Sequence, residues 1–478
     1  MSAPAQDELR RGWCPSTLRP METGDGWLVR LHPPGARLDP TQMRRIAALA
    51  RQHGNGLVEI SARGNLQIRG VKPQAHPALV ASLLAEQLVD EHDGQGPQRL
   101  TLVSPLAGDG AGRPLSPHPE ERRRRVSKDG PDGSGASGSI LRDAISKEMA
   151  PQDEGSGERI EPVDAAALAE VIEAVVRGIA DLPAKTCVVV DDGGALSLDG
   201  FPADIRVQGI AGKVAIGLPG AIWLGPIEAD AAADVTARLL AAFAAHHRHA
   251  LQTIRRLRDL PEDALAALVA ASGLPRTHAP APRPAAKRAG LFTGHGGRFA
   301  AIIGLPFGRS DAATLDLLCA MAESFGDGDI RLSPWRGIAF RGLRRSDADA
   351  LLGLGDELGL ITDDDDPRLS VQACAGKPAC LRAQTPTMAD AALLAQAATK
   401  LLAGGLTMHV SGCVKSCAHP GPSALTLVGR DGHYDVVIDG TTRDAAFAEL
   451  DLCEIMTRLQ PGQDIHARLV AAGRVTGP

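Results

Sequence analysis

Two segments of the chain, residues 24–71 and 296–343, align with each other without a gap at a constant offset of 272 (296 − 24). The equivalent positions that carry the same residue include Gly24/Gly296, Pro34/Pro306, Arg37/Arg309, Asp39/Asp311, Ser61/Ser333, Arg69/Arg341 and Gly70/Gly342. Identity of this kind means little in one short window, but a constant register over the whole span indicates duplication. The fold must therefore accommodate the same unit twice.

Each copy has the pattern of a strand, a helix and a pair of strands. In the first copy, GWLVRLH is an apolar β-type run, and TQMRRIAALARQHG has apolar residues at helical spacing before a terminal glycine. The segment LVEISARGNLQIRGV alternates around Gly64 and Asn65, which predicts a hairpin. The second copy contains a similar first run, FAAIIGL. One such unit leaves a sheet edge open, so we expect the copies to pair about a pseudo-twofold axis into one larger sheet.

A helical stretch and further β-type runs follow both copies, which gives the order A-B-A′-B′ and an α+β fold class. In the second of these helices, TMADAALLAQAATKLLAGG, Thr387 is predicted as the N-cap because Asp390 follows three residues later. Two segments interrupt the pattern. Residues 109–160 are rich in Gly, Ser, Pro and mixed charge, which predicts a disordered low-complexity insertion. Residues 273–288 contain several prolines and are predicted to form an extended linker.

Composition excludes several classes of function. The net charge is −6 and aromatic residues make up 3% of the chain, so neither a basic surface nor base-stacking platforms for nucleic acid are expected. No apolar run reaches the ~18 residues of a membrane span. The first residues lack the apolar core of a secretory signal. We therefore expect a cytoplasmic protein that acts on neither nucleic acid nor membranes.

Four of the eight cysteines lie between residues 374 and 417, in the segments CAGKPAC and SGCVKSCAHPGP. In a reducing compartment such clustering indicates metal or redox chemistry more than disulfides. Cys374 and Cys380 have five residues between them, whereas Cys413 and Cys417 have three and would share one face of a helical turn. Four thiolates are the usual ligands of a [4Fe-4S] cluster.

Two other interpretations of these cysteines stay open on spacing alone. Structural zinc sites usually have two to four residues between ligands in both pairs, which fits CAGKPAC less well. Buried cysteines without a ligand are the third interpretation. Cys319 and Cys453 lie in helical patterns away from the pairs, and we predict that both are core residues.

The two cysteine pairs, placed after a duplicated unit, resemble the sirohaem-dependent nitrite and sulfite reductases. The segments ISARGNLQIRGV, LVSPLAG and LPAKTCVVVDD are also similar to that superfamily. Within it, RGWCPSTLRPMETGDGWLVRL, CAGKPAC and VSGCVKSCAHPGPSALTLVG resemble the precorrin-3B synthase branch. The reductases typically have Pro-Asn where this chain has Val414–Lys415–Ser416. They also tend to have two lysines where this chain has Lys185 and Cys187.

The resemblance implies a duplicated nitrite/sulfite reductase-like architecture in which two ferredoxin-like half-domains alternate with two α/β domains about a pseudo-twofold axis. The half-domains would span residues 1–108 and 289–359. The α/β domains would span residues 161–272, without a cluster, and residues 360–478, with the [4Fe-4S] cluster on Cys374, Cys380, Cys413 and Cys417.

The resemblance further implies a monooxygenase of aerobic cobalamin biosynthesis. Precorrin-3A and dioxygen would give precorrin-3B, hydroxylated at C20 and carrying a γ-lactone. The implied cofactors are the cluster, a mononuclear non-haem iron and reduced nicotinamide as electron source, with a possible electron-donor protein as partner. Four histidines near the motifs are candidate iron ligands: His32, His295, His409 and His419.

Substrate binding is expected at Arg63, Gln67, Arg69 and Lys185, which match the tetrapyrrole motifs of the superfamily. Guanidinium groups bind carboxylates in a bidentate manner, as a macrocycle with acetate and propionate side chains requires. Solvated surface charges are the plainer explanation for each of them. Two other functions stay open. One is a sirohaem-dependent nitrite or sulfite reductase, in which Cys417 would also bridge to the sirohaem iron. The other is a non-enzymatic tetrapyrrole-binding or electron-transfer protein.

Overall fold

The computed structural model describes residues 13–89, 100–108, 113–114, 163–194, 196–251, 253–325 and 329–459. Arg113–Pro114 form a short strand, contrary to the disorder predicted for 109–160. The rest of that predicted insertion lies outside the described residues. No helix in the described part of the chain is long and apolar enough to cross a membrane.

The first copy has the predicted arrangement of strands and helix. Its elements are β1 (Met21–Thr23), β2 (Gly26–Leu31), β3 (Arg37–Leu38), α1 (Pro40–His53), β4 (Leu57–Ile60), β5 (Leu66–Val71) and α2 (His76–Ala85). Helix α1 begins at a reciprocal capping box, in which the Asp39 carboxylate accepts from the Gln42 amide, and it ends at Gly54. The turn between β4 and β5 contains Gly64 and Asn65, so the predicted hairpin is confirmed.

Domain B, the α/β domain predicted over residues 161–272, begins earlier in the chain than predicted. Its elements are β6 (Thr101–Val103), α3 (Ala165–Val176), β8 (Val188–Asp191), β9 (Ile205–Ile210), β10 (Lys213–Leu218), β11 (Ile222–Ile227), α4 (Ala229–His249), α5 (Glu262–Ala271) and β12 (Arg276–Thr277). The sheet order is β12-β11-β10-β9-β8-β6, with β6, β8 and β9 parallel. The boundary predicted at residue 108 is therefore too late, because the short run 101–103 completes this sheet and carries no local mark of its domain.

The second copy and domain B′ repeat this order. The second copy contains β13 (Gly290–Thr293), β14 (Phe299–Gly304), β15 (Arg309–Asp311), α6 (Ala312–Glu323), β16 (Asp329–Ser333), β17 (Gly337–Leu343) and α7 (Arg345–Glu357). Domain B′ contains β18 (Val371–Ala373), α8 (Thr387–Ala397), α9 (Thr399–Ala403), β19 (Met408–Ser411), β20 (Ser423–Arg430), β21 (His433–Gly440), β22 (Ala448–Leu450) and α10 (Leu452–Arg458). Its sheet order is β18-β19-β20-β21-β22, and its first three strands are parallel, as in domain B.

The two copies do not form one larger sheet, so that expectation was wrong. They form two sheets, β1-β2-β5-β4-β15 and β3-β16-β17-β14-β13-β7, where β7 is Arg113–Pro114. Each sheet receives an edge strand from the other copy: Arg309 pairs with Glu59, and Arg37 pairs with Arg331. These are the same contact made twice, since 37 + 272 = 309 and 59 + 272 = 331. The exchanged short strands cover β4 in one sheet and β16 in the other, and the exchange preserves the pseudo-twofold relation.

The half-domains share one core, formed by the apolar faces of both sheets and by helices α1 and α6. Met43 and Ile46 of α1 are fully buried in it, and their equivalents Leu315 and Leu318 of α6 are buried in the same way. Domains B and B′ each have a separate core. Cys319 is buried on α6 as predicted, whereas Cys453 is exposed on α10, so its assignment to the core was wrong. Helical periodicity alone did not identify the buried face of that short helix.

The Pro-rich segment 273–288 packs closely on domain B. Strand β12 lies within it and pairs with β11. The Arg283 guanidinium donates to the carboxylates of Asp191 (2.5 Å) and Asp199 (2.9 Å). Asp191 ends β8, which is the topological counterpart of β19 in domain B′. The linker therefore fills, in the domain without paired cysteines, the loop region that carries Cys413 and Cys417 in the other.

Candidate active site

The two cysteine pairs lie on loops at the same edge of the B′ sheet. Strands β18 and β19 are parallel neighbours, so their carboxyl ends meet, and Cys374 and Cys413 follow these ends. The Cys374 amide donates to the Val410 carbonyl at 3.2 Å. Each loop returns a second cysteine, Cys380 and Cys417. The sheet topology therefore brings together two pairs that are distant in sequence.

Backbone and hydroxyl groups hold these loops in place. The Gly412 amide donates to the Cys374 sulfur at 3.1 Å, the kind of bond that supports a thiolate ligand. A Cβ added at Gly412 would lie 2.6 Å from the Ala383 Cβ, so only glycine fits there. Thr387 does not cap α8 as predicted, because Pro386 occupies the cap position. The Thr387 hydroxyl donates instead to the Cys374 carbonyl at 2.7 Å.

The four thiols influence one another electrostatically. Burial raises the pKa of Cys413, although the hydrogen bond from the Lys415 amide acts to lower it. The charges of Cys374 and Cys380 raise the pKa further. Loss of water around its sulfur, together with the other three thiols, raises the pKa of Cys417 to about 11, although part of the residue is exposed. Thiolates so close together need positive charge, which iron would supply. The residues present therefore fit an iron–sulfur cluster.

Two of the candidate histidines lie side by side near these loops. His409 is fully buried on β19, and its ring stands edge-on to that of His419 at 5.8 Å. Neither ring nitrogen of His409 has a hydrogen-bond partner among the described residues. Burial, His419 and the nearby Arg336 lower its pKa to about 4. His32 and His295 belong to the two half-domains. No three His, Cys, Asp or Glu side chains in the described ranges are placed to hold a single metal ion.

The first sheet presents a row of polar side chains on the face opposite its core. Neighbouring strands pair Arg30 with Gln67, Gln67 with Glu59, and Glu59 with Arg309. The Glu59 carboxylate accepts from Arg309 at 2.5 Å and from Arg69 at 3.3 Å. Gln67 accepts from the Arg30 Nη2 at 3.0 Å. This face is polar because the alternate residues of the same strands fill the core.

Arg69 connects this polar face to the cysteine loops. It is 2% exposed, and its guanidinium donates to both Asp25 oxygens (2.6 and 3.0 Å), to Glu59 and to the Ala379 carbonyl (2.8 Å) of CAGKPAC. The Gly24 amide donates to the same carbonyl at 3.2 Å. These bonds use four of the five N–H donors of the Arg69 guanidinium and link the first sheet to the CAGKPAC loop. The substrate contact expected from sequence stays a prediction.

Arg63 and Lys185 meet where the first half-domain contacts domain B. The Arg63 Nη2 donates to the Lys185 carbonyl at 3.2 Å, and Arg256 donates to the same oxygen. The buried Asp204 accepts from the Cys187 amide at 2.9 Å and pairs with Arg256 at 3.0 Å. These bonds fix the loop backbone and leave the Lys185 side chain exposed. Two of the expected substrate-binding residues, Arg63 and Lys185, are thus brought together. Gln67 lies beside Arg30 in the sheet of the first half-domain.

Sequence reasoning missed Arg30. It lies half-buried on β2, beside Gln67 and close to Cys14 and Arg63. Its position in the strand GWLVRL was the available signal, because a charged residue within an apolar strand rarely faces the core. Its partners belong to β5 and to the N-terminal segment. The sequence around Arg30 therefore does not reveal them.

The second sheet keeps only part of this polar row, Arg331 and its neighbour Arg37. The counterparts of Arg30 and Gln67 are Ile302 and Ala339, which pair with each other on β14 and β17. The counterpart of Arg63 is Trp335, since 63 + 272 = 335. Ile302 and Ala339 pack with apolar residues of domain B, and Trp335 stands edge-on to Phe201 at 5.6 Å. Duplication therefore produced one face that is polar along the whole row and one that is apolar at the counterparts of Arg30, Gln67 and Arg63.

Comparison with known proteins supplies the context for this geometry. Residues 19–86 and 293–357 match the family model described as the nitrite/sulfite reductase ferredoxin-like half domain. A curated protein from Sinorhizobium sp named precorrin-3B synthase is 30% identical over an alignment of 461 residues, which covers 93% of this chain and 86% of that protein. The solved structure of Mycobacterium tuberculosis NirA matches with a TM-score of 0.65 and 16% identity, and covers 93% of this chain and 84% of that one. The structural likeness confirms the duplicated reductase-like fold.

Proposed function

The chain belongs to the precorrin-3B synthase family of nitrite/sulfite reductase-like proteins, and on this basis we propose that it converts precorrin-3A to precorrin-3B with dioxygen. In this reaction C20 is hydroxylated and a ring A acetate closes a γ-lactone. One oxygen atom enters the product and the other leaves as water, which requires two electrons and two protons. Reduced nicotinamide, directly or through an electron-donor protein, is the proposed source of the electrons.

The observation that carries this proposal is the asymmetry between the two sheets. Among the described residues, the first sheet has Arg30 and Gln67 where the second sheet has Ile302 and Ala339, so the row that is polar along its whole width lies on the first sheet, beside Lys185 and the cysteine loops. A planar macrocycle with several carboxylates needs such groups along its rim. Gln67 would offer a neutral hydrogen-bonding group, and Lys185 and Arg63 would neutralise acetate or propionate side chains. Arg69 would keep the CAGKPAC loop against this face.

We propose that Cys374, Cys380, Cys413 and Cys417 hold a [4Fe-4S] cluster. Such a cluster would supply electrons singly, which dioxygen needs because it reacts slowly with closed-shell organic molecules. The Gly412 amide would stabilise the Cys374 thiolate, and Thr387 would fix the backbone of the same residue. His409 and His419 are the pair best placed, among the four candidates, to contribute to a mononuclear iron site.

The test combines composition with turnover. Purified protein should contain iron and acid-labile sulfide, and its spectrum should have a broad absorption shoulder without the red band of a chlorin. Anaerobic incubation with precorrin-3A, a reductant and then labelled dioxygen should add one labelled oxygen to the product. A chlorin spectrum would favour a sirohaem-dependent reductase. Tetrapyrrole binding without any oxygen-dependent gain in mass would favour a carrier and refute the synthase.

A further inference from the structure

Arg336 has a backbone conformation that favours glycine. It is the last residue of the β16–β17 turn, where its amide donates to the Ser333 carbonyl at 3.0 Å and its φ is 63°. The last residue of a three-residue hairpin loop is commonly left-handed, and glycine suits it because a Cβ is disfavoured there. The equivalent residue of the first copy is Gly64 (336 − 272), with a φ of 64°. The second copy therefore has an unfavourable residue where its duplicate has the favourable one.

Phe307 is a second case of the same replacement. Its φ is 54°, and its counterpart in the first copy is Gly35 (307 − 272), with a φ of 57°. Phe307 packs against the core of domain B′, and its carbonyl accepts from the Arg336 Nη1 at 3.3 Å. Backbone strain of this kind persists where the surrounding contacts require the side chain. The contacts of these two side chains with domain B′ are therefore the feature to explain.

The Arg336 side chain reaches the loop that carries Cys417. Its Nη2 donates to the carbonyl of the next residue, Ala418, at 2.9 Å. A Cβ added at Gly308 would lie 3.0 Å from the Arg336 Cδ, so the stem of the side chain is packed closely on the backbone. Burial lowers the pKa of Arg336, and the charge of Glu59 acts in the opposite direction. The guanidinium thus donates to two neutral carbonyls, one of them in the cysteine loop.

Two hydroxyl groups of domain B′ hold the first half of this loop. The Ser411 hydroxyl donates to the Cys413 carbonyl at 2.8 Å, and the Thr442 hydroxyl donates to the Val414 carbonyl at 2.9 Å. Arg336 holds the second half of the loop and belongs to a different domain. The position of the second half therefore depends on how the second half-domain meets domain B′.

We propose that Arg336 is a positioning residue for the second cysteine loop, and that the second half-domain thereby sets the place of Cys417. The first cysteine loop has a similar contact, since Arg69 of the first half-domain donates to the Ala379 carbonyl at 2.8 Å. Each half-domain thus contributes one arginine to one cysteine loop, although the two arginines are not equivalent by duplication. The purpose of the loop rests on the proposed cluster, whereas the evidence for positioning is the contact and the left-handed backbone.

Arg336→Gly separates this role from two others. Glycine takes the same φ without strain and removes the bond to Ala418. If Arg336 were only a turn residue, the loop would be unaffected. If it served only to join two domains, the midpoint of urea unfolding would fall and the whole of domain B′ would loosen. The positioning role predicts a change confined to the loop, with a nearly unchanged midpoint, because relief of backbone strain offsets the lost hydrogen bonds.

Hydrogen exchange of the full-length protein, followed by mass spectrometry, measures the loop without metal or substrate. We expect the peptide 411–422 to exchange at least about threefold faster in Arg336→Gly, while strand β20 exchanges as in the unmodified protein. Iron and sulfide content after anaerobic reconstitution should also fall, because groups behind the ligands orient them. Faster exchange in a protein that never binds iron would support the positioning role and refute the proposed cluster.

Matched variants test the cause of the change. Arg336→Lys keeps the charge and a long stem but has no planar fork, so it should restore part of the protection. Ala211→Gly replaces another left-handed residue, with a φ of 49° in the β9–β10 turn, and should leave loop exchange and iron content unchanged. If Arg336→Gly fails to fold, Arg336→Asn replaces it with the same expected acceleration. Asparagine tolerates a left-handed backbone and is too short to reach Ala418.

Four results would overturn the proposal. The first is that 411–422 exchanges at the unmodified rate in Arg336→Gly, and the second is that β20 accelerates by the same factor. The third is that Ala211→Gly changes the loop as much, and the fourth is that Arg336→Lys exchanges as fast as Arg336→Gly.

Discussion

Replacing Arg69 with methionine tests how the first half-domain supports the cysteine loops. The substitution keeps most of the side-chain volume and removes a guanidinium that donates to Asp25, Glu59 and the Ala379 carbonyl. Glu59 would keep Arg309, so Asp25 is the carboxylate left without a cation. Breaking a buried pair costs about 3–5 kcal/mol. Because the Asp25 side chain is 14% exposed, we expect the lower end, about 3 kcal/mol, a large part of a typical stability.

The dependence on pH gives an independent check. Burial would raise the pKa of Asp25, but its bonds to Arg69 outweigh this and hold the pKa below the usual value. Such a carboxylate stabilises the fold above its unfolded pKa of about 3.9, and this contribution is lost as pH falls through the folded pKa. The difference in unfolding free energy between the two proteins should therefore be full near neutral pH and shrink in acid below about pH 4.

Urea unfolding measures the stability, and iron and sulfide content after anaerobic reconstitution measures the loop. We expect Arg69→Met to lose both, because Ala379 lies in the loop between Cys374 and Cys380. Arg341→Met is the matched control at the pseudo-equivalent position (69 + 272 = 341), where a buried arginine pairs with Asp329 at 3.1 Å. It should lose stability and keep its iron. Unchanged stability in Arg69→Met would refute the ion-pair reasoning, and full iron content would refute the positioning role.

Three further outcomes are expected. Arg283→Met should lower the free energy of unfolding by about 2–4 kcal/mol, because Asp191 is only 3% exposed and loses its cation; Arg276→Met, an exposed change in the same segment, should cost below about 0.5 kcal/mol. Cys413→Ser should lose iron and sulfide, whereas Cys453→Ser on the exposed face of α10 should retain both, and full retention in the first would exclude Cys413 from the ligand set. Gly412→Ala should also reduce iron content, because its Cβ would meet Ala383 at 2.6 Å; normal iron incorporation would mean that the loop relaxes.

The sequence by itself determined the duplicated α+β organisation. A register of 272 holds in the structure down to single backbone pairs, such as Arg309 with Glu59 and Arg37 with Arg331. Local periodicity located β2, α1 and the β4–β5 hairpin, because the alternation of apolar residues follows directly from strand and helix geometry. The spacing of the cysteines in sequence identified two pairs, and the topology of B′ places them at one sheet edge.

Only the tertiary structure decided what the polar side chains do. Arg69 and Arg30 are both arginines in apolar strands, yet one is enclosed by two carboxylates and the other faces a neutral amide. Thr387 supports the Cys374 carbonyl, and Arg283 fills the loop region of B that carries cysteines in B′. The physical reason is that secondary structure follows from neighbours along the chain, whereas the balance of charge at a buried site depends on groups brought from distant segments. Sequence therefore identified the duplicated strands, and folding determined that they form two sheets with differently lined outer faces.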